Sequence, residues 1–152
     1  MLQLHPLPRG ITGFSCTPNS LILQDGKSFI SLLYSILRGT LECEDTNLQG
    51  KNYYYFSIKS TDQEYHVLLN AFFPIVAISC ELNYNKFIFR SSEEIMNQFK
   101  LLSECNYLLL GKEELESDLA NSDYLDLDKA ELKQIEYWKP KNLSEIVFNN
   151  WD

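Results

Sequence analysis

The chain has 152 residues, 45% hydrophobic and 22% charged, a composition typical of a folded protein, so we predict a single domain over residues 1–152. The formal net charge of −8 and the pI of about 4.7 disfavour binding to phosphate backbones, which excludes nucleic acid as an expected partner and favours basic proteins. No run approaches the roughly 18 apolar residues that a membrane span needs, and the N-terminus lacks an apolar signal core, so we expect a cytoplasmic protein without a membrane partner.

The N-terminal stretch before the first helix is punctuated by proline and glycine, which predicts irregular structure with a short strand at 21–23. From 27 to 37, apolar residues recur at helical spacing and predict an amphipathic helix with one buried stripe. We expect Asp25 or Ser28 to cap its start and Gly39 to end it in left-handed geometry.

Residues 40–50 are polar and are predicted to be a connection. The residues that follow are aromatic and β-branched with a period of two, and they predict four strands at 52–59, 64–70, 75–82 and 86–90. Their short connections suit antiparallel hairpins, because a parallel crossover needs a dozen or more residues.

Ser91 and Glu94 have the spacing of a capping box and are expected to open a second helix, in which Ile95, Phe99 and Leu102 face the sheet. The pattern then predicts a short strand at 106–110, a short acidic helix at 112–120 and a loop at 121–128.

The C-terminal stretch contains a helix that is predicted to begin near Lys129, with Asp128 as its cap, and to end before Pro140. Its inner side is predicted to consist of Leu132, Ile135 and Trp138.

Asn142 and Glu145 repeat the capping-box spacing and open a last helix, in which Ile146 and Val147 are predicted to point inward. We expect this tail to pack over the rest of the domain and to seal its core with Trp138, Ile146, Phe148 and Trp151. Together the elements predict an α+β fold, with a four- to five-stranded, mainly antiparallel sheet (a meander) and helices packed on it.

The four cysteines, Cys16, Cys43, Cys80 and Cys105, are far apart in sequence and form no Cys-x-x-Cys motif. We expect free thiols in a reducing cytosol. Cys80 lies in an apolar run and is interpreted as a small buried hydrophobic residue.

No catalytic signature is present. A nucleophilic set can be drawn from Cys80, His66 and Asn70, or from Cys43 with His66, but a histidine in the middle of a strand is more often a satisfied core or surface residue than a base. We therefore predict that the protein is not an enzyme and assign it no catalytic residues.

Metal and cofactor motifs are also missing from the sequence. His5 and His66 are far apart, and the loop that contains Asp123, Asp126 and Asp128 lacks the glycine and the terminal glutamate of an EF-hand. There is no phosphate-binding glycine motif, so we expect no metal and no cofactor.

Acidic residues concentrate between 112 and 136, where nine acids stand against three lysines, a net of 3 − 9 = −6 out of −8. Such a run is either a solvated face or a docking surface for a basic protein, on which charge speeds association and fixes register. Tyr107, Tyr124 and Tyr137 are candidate contact anchors. The predicted interface consists of Glu113, Glu114, Glu116, Asp118, Tyr124, Asp126 and Asp128.

Three segments carry a resemblance to a family of small bacterial proteins: PRGITGF at 8–14, EYHVLLNAFFPIVAIS at 64–79 and AELKQIEYWKPKNLSEIVFNNWD at 130–152. The motifs that carry this resemblance are a Pro-x-Gly-x-Thr-Gly-Phe start and a Tyr-Trp-x-Pro … Glu-Ile-x-Phe-Asn-x-Trp-Asp ending. In size, acidity and α+β build it is similar to the immunity proteins of bacterial toxin systems, including contact-dependent growth inhibition, and it offers no catalytic residues to carry over.

The resemblance implies a cytoplasmic antitoxin that binds the C-terminal toxin domain of a cognate protein, often a basic nuclease, and blocks its activity. The alternative is a regulatory or scaffold module that binds another basic cellular protein. Neither interpretation specifies an oligomeric state.

Overall fold

A computed structural model describes residues 3–15, 23–61, 63–83, 86–89 and 93–151. In these ranges the strands are β1 Gly39–Asp45, β2 Tyr53–Ser60, β3 Glu64–Asn70, β4 Ile75–Asn83, β5 Lys86–Phe89 and β6 Leu108–Leu109. The helices are α1 Gly26–Ile36, α2 Glu93–Gln98, α3 Lys100–Glu104, α4 Lys112–Leu115, α5 Lys129–Trp138 and α6 Leu143–Val147, and a 3-10 turn spans Asn121–Tyr124.

The sheet confirms the α+β prediction. Strands β1 to β5 lie side by side in chain order, each antiparallel to the next, and β6 pairs with the start of β4 in parallel. The short connections favour this meander because they are long enough only for hairpins. The sheet has six strands rather than the predicted four or five.

The additional strand is β1, so the prediction of a connection at 40–50 was wrong for residues 40–45 and is confirmed for residues 46–50. An edge strand needs no alternating apolar residues, and in β1 only Leu41 packs against a core. Glu42 has no directly opposite residue on β2, because the register of the two strands shifts between Leu41 and Cys43. Gly39 does not end α1 in left-handed geometry but begins β1. A Cβ atom there would lie 2.5 Å from the carbonyl oxygen of Lys59.

Helix α1 lies within one residue of its predicted bounds, and its cap is Asp25, whose carboxylate accepts hydrogen bonds from the backbone of Lys27 and Ser28. The predicted helix at 112–120 is limited to the single turn of α4. The hydroxyl of Ser117 donates to the carbonyl oxygen of Glu114 and competes with continued helix. Ser91 and most of the predicted strand at 21–23 lie outside the described residues.

Each face of the sheet is covered by its own core. The first core lies on one face, where α1 and α2–α3 contribute Phe29, Leu33, Phe99 and Leu102. The second core lies on the other face, where strand residues pack against the N-terminal segment and against residues 110–151. We call residues 110–151 the C-terminal layer. The predicted acidic interface belongs to this layer.

Within the described ranges, no helix combines the length and the apolar character needed to cross a membrane. Cys43 and Cys105 are exposed free thiols, and Cys80 is half-buried against the first core.

Candidate docking surface

A buried carboxylate joins the two ends of the chain. Glu131 is completely buried and accepts hydrogen bonds from Gly10 N (2.9 Å), Thr12 N (3.3 Å) and Thr12 Oγ1 (2.5 Å). The same carboxylate accepts from Asp128 N, while Asp128 accepts from Glu131 N, so the predicted cap of α5 is confirmed and forms a full capping box. The turn at 10–12 is thereby held against the start of α5.

This arrangement changes the predicted inner side of α5. Ile135 is buried as expected, but Leu132 and Trp138 are each 38% exposed, and Glu131 occupies the inner position instead. Hydrophobic periodicity could not find Glu131, because a charged residue normally marks the outer face of a helix.

Three buried asparagines complete the link between the chain ends and the sheet. Asn52 donates to the carbonyl oxygens of Ile11 and Ile146, and Asn70 donates to those of Ile11 and Val147. Asn149 donates to the carbonyl oxygen of Thr12, and its backbone N–H donates to Asn52 Oδ1. In the described part of the chain every buried side-chain nitrogen and oxygen has a partner, so this network is structural.

The candidate set of Cys80, His66 and Asn70 is not assembled. The alternative nucleophile, Cys43, is exposed on β1 and lies two strands away from His66. The ring of His66 packs against Tyr55 and Phe87 on the side of the second core, and its Nδ1 is 2.7 Å from the hydroxyl of Tyr55. Cys80 packs against the first core, on the opposite face of the sheet. The side chain of Asn70 is used by the backbone network described above.

Five of the predicted interface residues are exposed acids: Glu113, Glu114, Glu116, Asp118 and Asp126. Leu115 is buried and anchors α4 on the second core, so the glutamates on either side of it face solvent. The two ion pairs found among the described residues join His5 to Asp123 and Lys51 to Asp45, so none of the five has a cationic partner there. Their charge is available to a binding partner.

The other two predicted interface residues have partners within the fold. Tyr124 is half-buried against the second core, and burial raises the pKa of its hydroxyl. Asp128 caps α5 and accepts a hydrogen bond from the hydroxyl of Ser15 at 2.7 Å. Among the other candidate anchors, Tyr107 packs on Phe29 in the first core, whereas Tyr137 is 75% exposed.

Asp123 lies in the acidic run but is buried and stabilises the fold. Its carboxylate accepts from Ala120 N at 2.9 Å and lies 2.7 Å from Nδ1 of the exposed His5. Burial alone would raise the pKa of Asp123, but the hydrogen bonds from Ala120 and His5 outweigh it and hold the pKa below the ordinary 3.8. Asp123 therefore contributes nothing to the expected docking charge.

We expect Asp123→Asn to lower the free energy of unfolding by about 1 kcal/mol near neutral pH, the contribution of one good hydrogen bond. The pKa of Asp123 is lower in the folded state than in the unfolded state. The carboxylate therefore stabilises the fold at pH values above its unfolded-state pKa, and this stabilisation is lost as the pH falls through its folded-state pKa. Urea unfolding of both proteins from about pH 6 to about pH 2 measures this. A difference that widens towards low pH would contradict the assignment.

Metal ligation finds no support in the described ranges, where no three His, Cys, Asp or Glu side chains are grouped closely enough to hold an ion. The described residues present exposed acids on the C-terminal layer. Comparisons of the chain with protein-family models, with curated proteins and with solved structures found no match.

Proposed function

We propose that this chain is a cytoplasmic immunity protein that binds a cognate bacterial toxin domain and neutralises it without catalysis. The observation that carries the proposal is the group of five exposed acids, Glu113, Glu114, Glu116, Asp118 and Asp126, none paired with a cation among the described residues. We call this group the acidic surface. The partner that it suits best is a basic nuclease domain.

The physical basis is electrostatic complementarity. A nuclease presents positive charge where it binds phosphates, and a surface of carboxylates competes for the same groups. Opposite charges steer the two proteins together and speed their association, while like charges exclude wrong partners. Glu113, Glu114 and Glu116 flank Leu115, whose burial in the second core holds α4 on the layer before any partner binds, so little ordering of this backbone is needed.

The resemblance of the chain ends supports the same proposal. The segment at 8–14 and the segment at 130–152 lie in direct contact through Glu131 and Asn149. The two segments therefore hold in place the layer on which the acidic surface lies, and the exposed acids lie between them in the sequence.

We expect the triple substitution Glu113→Lys, Glu114→Lys and Glu116→Lys to weaken binding of the toxin domain roughly ten- to a hundred-fold, chiefly through slower association. The partner used is the C-terminal domain of the protein encoded directly upstream of this gene. Isothermal titration calorimetry and stopped-flow association kinetics measure the effect, and thermal unfolding of the variant should be nearly unchanged because all three side chains are exposed.

The matched control is Glu93→Lys, Glu94→Lys and Glu104→Lys, which makes the same change in net charge on exposed positions of α2 and α3. This variant should lose much less affinity than the α4 variant. Equal losses would show that net charge alone matters, and an unchanged affinity of the α4 variant would remove the acidic surface as the docking site.

A further inference from the structure

The end of α5 exposes large aromatic side chains that the core does not use. Tyr137 is 75% exposed and Trp138 is 38% exposed. Tyr137 meets Trp138 edge-on at 5.1 Å, and Trp138 is parallel to Trp151 with ring centroids 6.4 Å apart. Contiguous exposed aromatic residues are uncommon on proteins that bind nothing there, and Trp and Tyr are the side chains most enriched at binding hot spots.

A groove of about 350 Å³ lies beside these rings. Trp138, Pro140, Phe148 and Trp151 supply its apolar walls. The exposed Lys139 and Lys141 also line it, together with the half-buried Glu145, whose carboxylate accepts a hydrogen bond from the backbone N–H of Lys141. Its volume is at the lower end of the range of small-ligand sites, which is enough for one or two bulky side chains of a bound segment.

The groove is locally basic although the protein is acidic. Lys139 and Lys141 line it against one acid, the half-buried Glu145, which gives 2 − 1 = +1. Over residues 129–152 four lysines stand against four acids, 4 − 4 = 0, so the other residues carry the whole net charge of −8. None of the four lysines takes part in an ion pair within the part of the chain that the structure describes.

We propose that the groove beside Trp138 binds an extended acidic peptide segment of a protein partner. A bulky apolar side chain of that segment would pack on Trp138 and Trp151, and flanking carboxylates would pair with Lys139 and Lys141. We call Trp138, Lys139, Lys141 and Trp151 the aromatic–lysine groove. A short peptide fits better than nucleic acid or an anionic bilayer, since either of these extends beyond the groove and meets the net charge of −8 on the other residues.

The test uses fluorescence anisotropy with fluorescein-labelled peptides. EDEWFEDE is the probe, EDEAAEDE lacks the apolar anchor, and KRKWFKRK reverses the charge. We expect the intact protein to bind the probe at least about ten-fold more tightly than either control peptide, because anchor and charge act together. Added salt should weaken this binding.

Two variants address the two parts of the groove. Lys139→Glu with Lys141→Glu should weaken probe binding about ten-fold or more, and Trp138→Ala should do the same. The matched controls are Lys27→Glu with Lys100→Glu, two exposed lysines elsewhere, and Tyr34→Ala, an aromatic residue that is 49% exposed on α1. Both controls should bind the probe like the unchanged protein, and circular dichroism melts check that every variant is folded.

Equal affinity for the three peptides would overturn the proposal, as would equal affinity of the groove variants and their controls. Tighter binding to an oligothymidylate or to phosphatidylserine vesicles, each matched to the probe in charge concentration, would overturn it in favour of a polyanion or a membrane. Because the aromatic–lysine groove shares no residue with the acidic surface, a failure here leaves the toxin-binding proposal in place.

Discussion

Deletion of residues 140–152 should prevent the chain from reaching its native fold. Leu143, Ile146, Val147 and Trp151 are buried in the second core, and Phe148 is 8% exposed. Burial of each such side chain contributes roughly 1.5–3 kcal/mol, so their combined loss is comparable with the 5–15 kcal/mol that typically stabilises a whole domain. The deletion also removes the acceptors of Asn52 and Asn70 on this segment and all contacts of Asn149.

Circular dichroism and one-dimensional proton NMR of the truncated chain measure this effect. We expect no cooperative thermal transition and no dispersed methyl signals. The substitution Lys141→Ala changes an exposed position of the same segment and should leave the melting temperature nearly unchanged. A truncated chain that is soluble and melts cooperatively would contradict the structural role of the tail.

Replacement of Glu131 by alanine should cause the largest loss of stability of any single substitution on α5. The change leaves buried donors of Gly10 and Thr12 without an acceptor. Each unsatisfied buried donor costs about 1–3 kcal/mol, so the two backbone N–H groups alone predict a loss of roughly 2–6 kcal/mol. Glu131→Gln keeps the shape but places an amide NH₂ among donors, and an intermediate loss is expected.

Glu136→Ala is the matched control, because Glu136 is an exposed glutamate of the same helix. It should change the free energy of unfolding by no more than about 0.5 kcal/mol, as is usual for surface positions. Urea unfolding of the three variants and the unchanged protein provides the comparison. The assignment of Glu131 as the link between the chain ends would be wrong if both alanine variants lost the same stability.

The elements that could be predicted are those in which local pattern and tertiary packing agree. The four strands of the meander have period-two aromatic and β-branched residues, and α1 has an apolar stripe with Asp25 as its cap. Strand β1 could not be predicted in this way, since an edge strand gains its pairing from β2 and needs no alternation of its own.

The predictions about the candidate site divide in the same way, into features that local sequence determines and features that distant contacts determine. Exposure of the acids on α4 follows from their sequence, because charged side chains beside one buried leucine face water. The burial of Glu131 and Asp123 does not follow, because each depends on donors more than a hundred residues away. The prediction that Trp138 seals the core was wrong, because Trp138 is 38% exposed. Its position also depends on a residue that is distant in sequence, since its ring stacks on that of Trp151.

The most direct test of the proposed function is co-expression of this protein with the C-terminal domain encoded by the gene directly upstream. Cell growth and co-purification are measured together, with the α4 charge-reversal variant and the α2–α3 control in parallel. We expect the upstream domain alone to stop growth, and the unchanged protein and the control to restore growth and to co-purify with it, while the α4 variant does so poorly. An upstream domain that is harmless alone, or that stops growth equally in the presence of this protein and does not co-purify with it, would contradict the account.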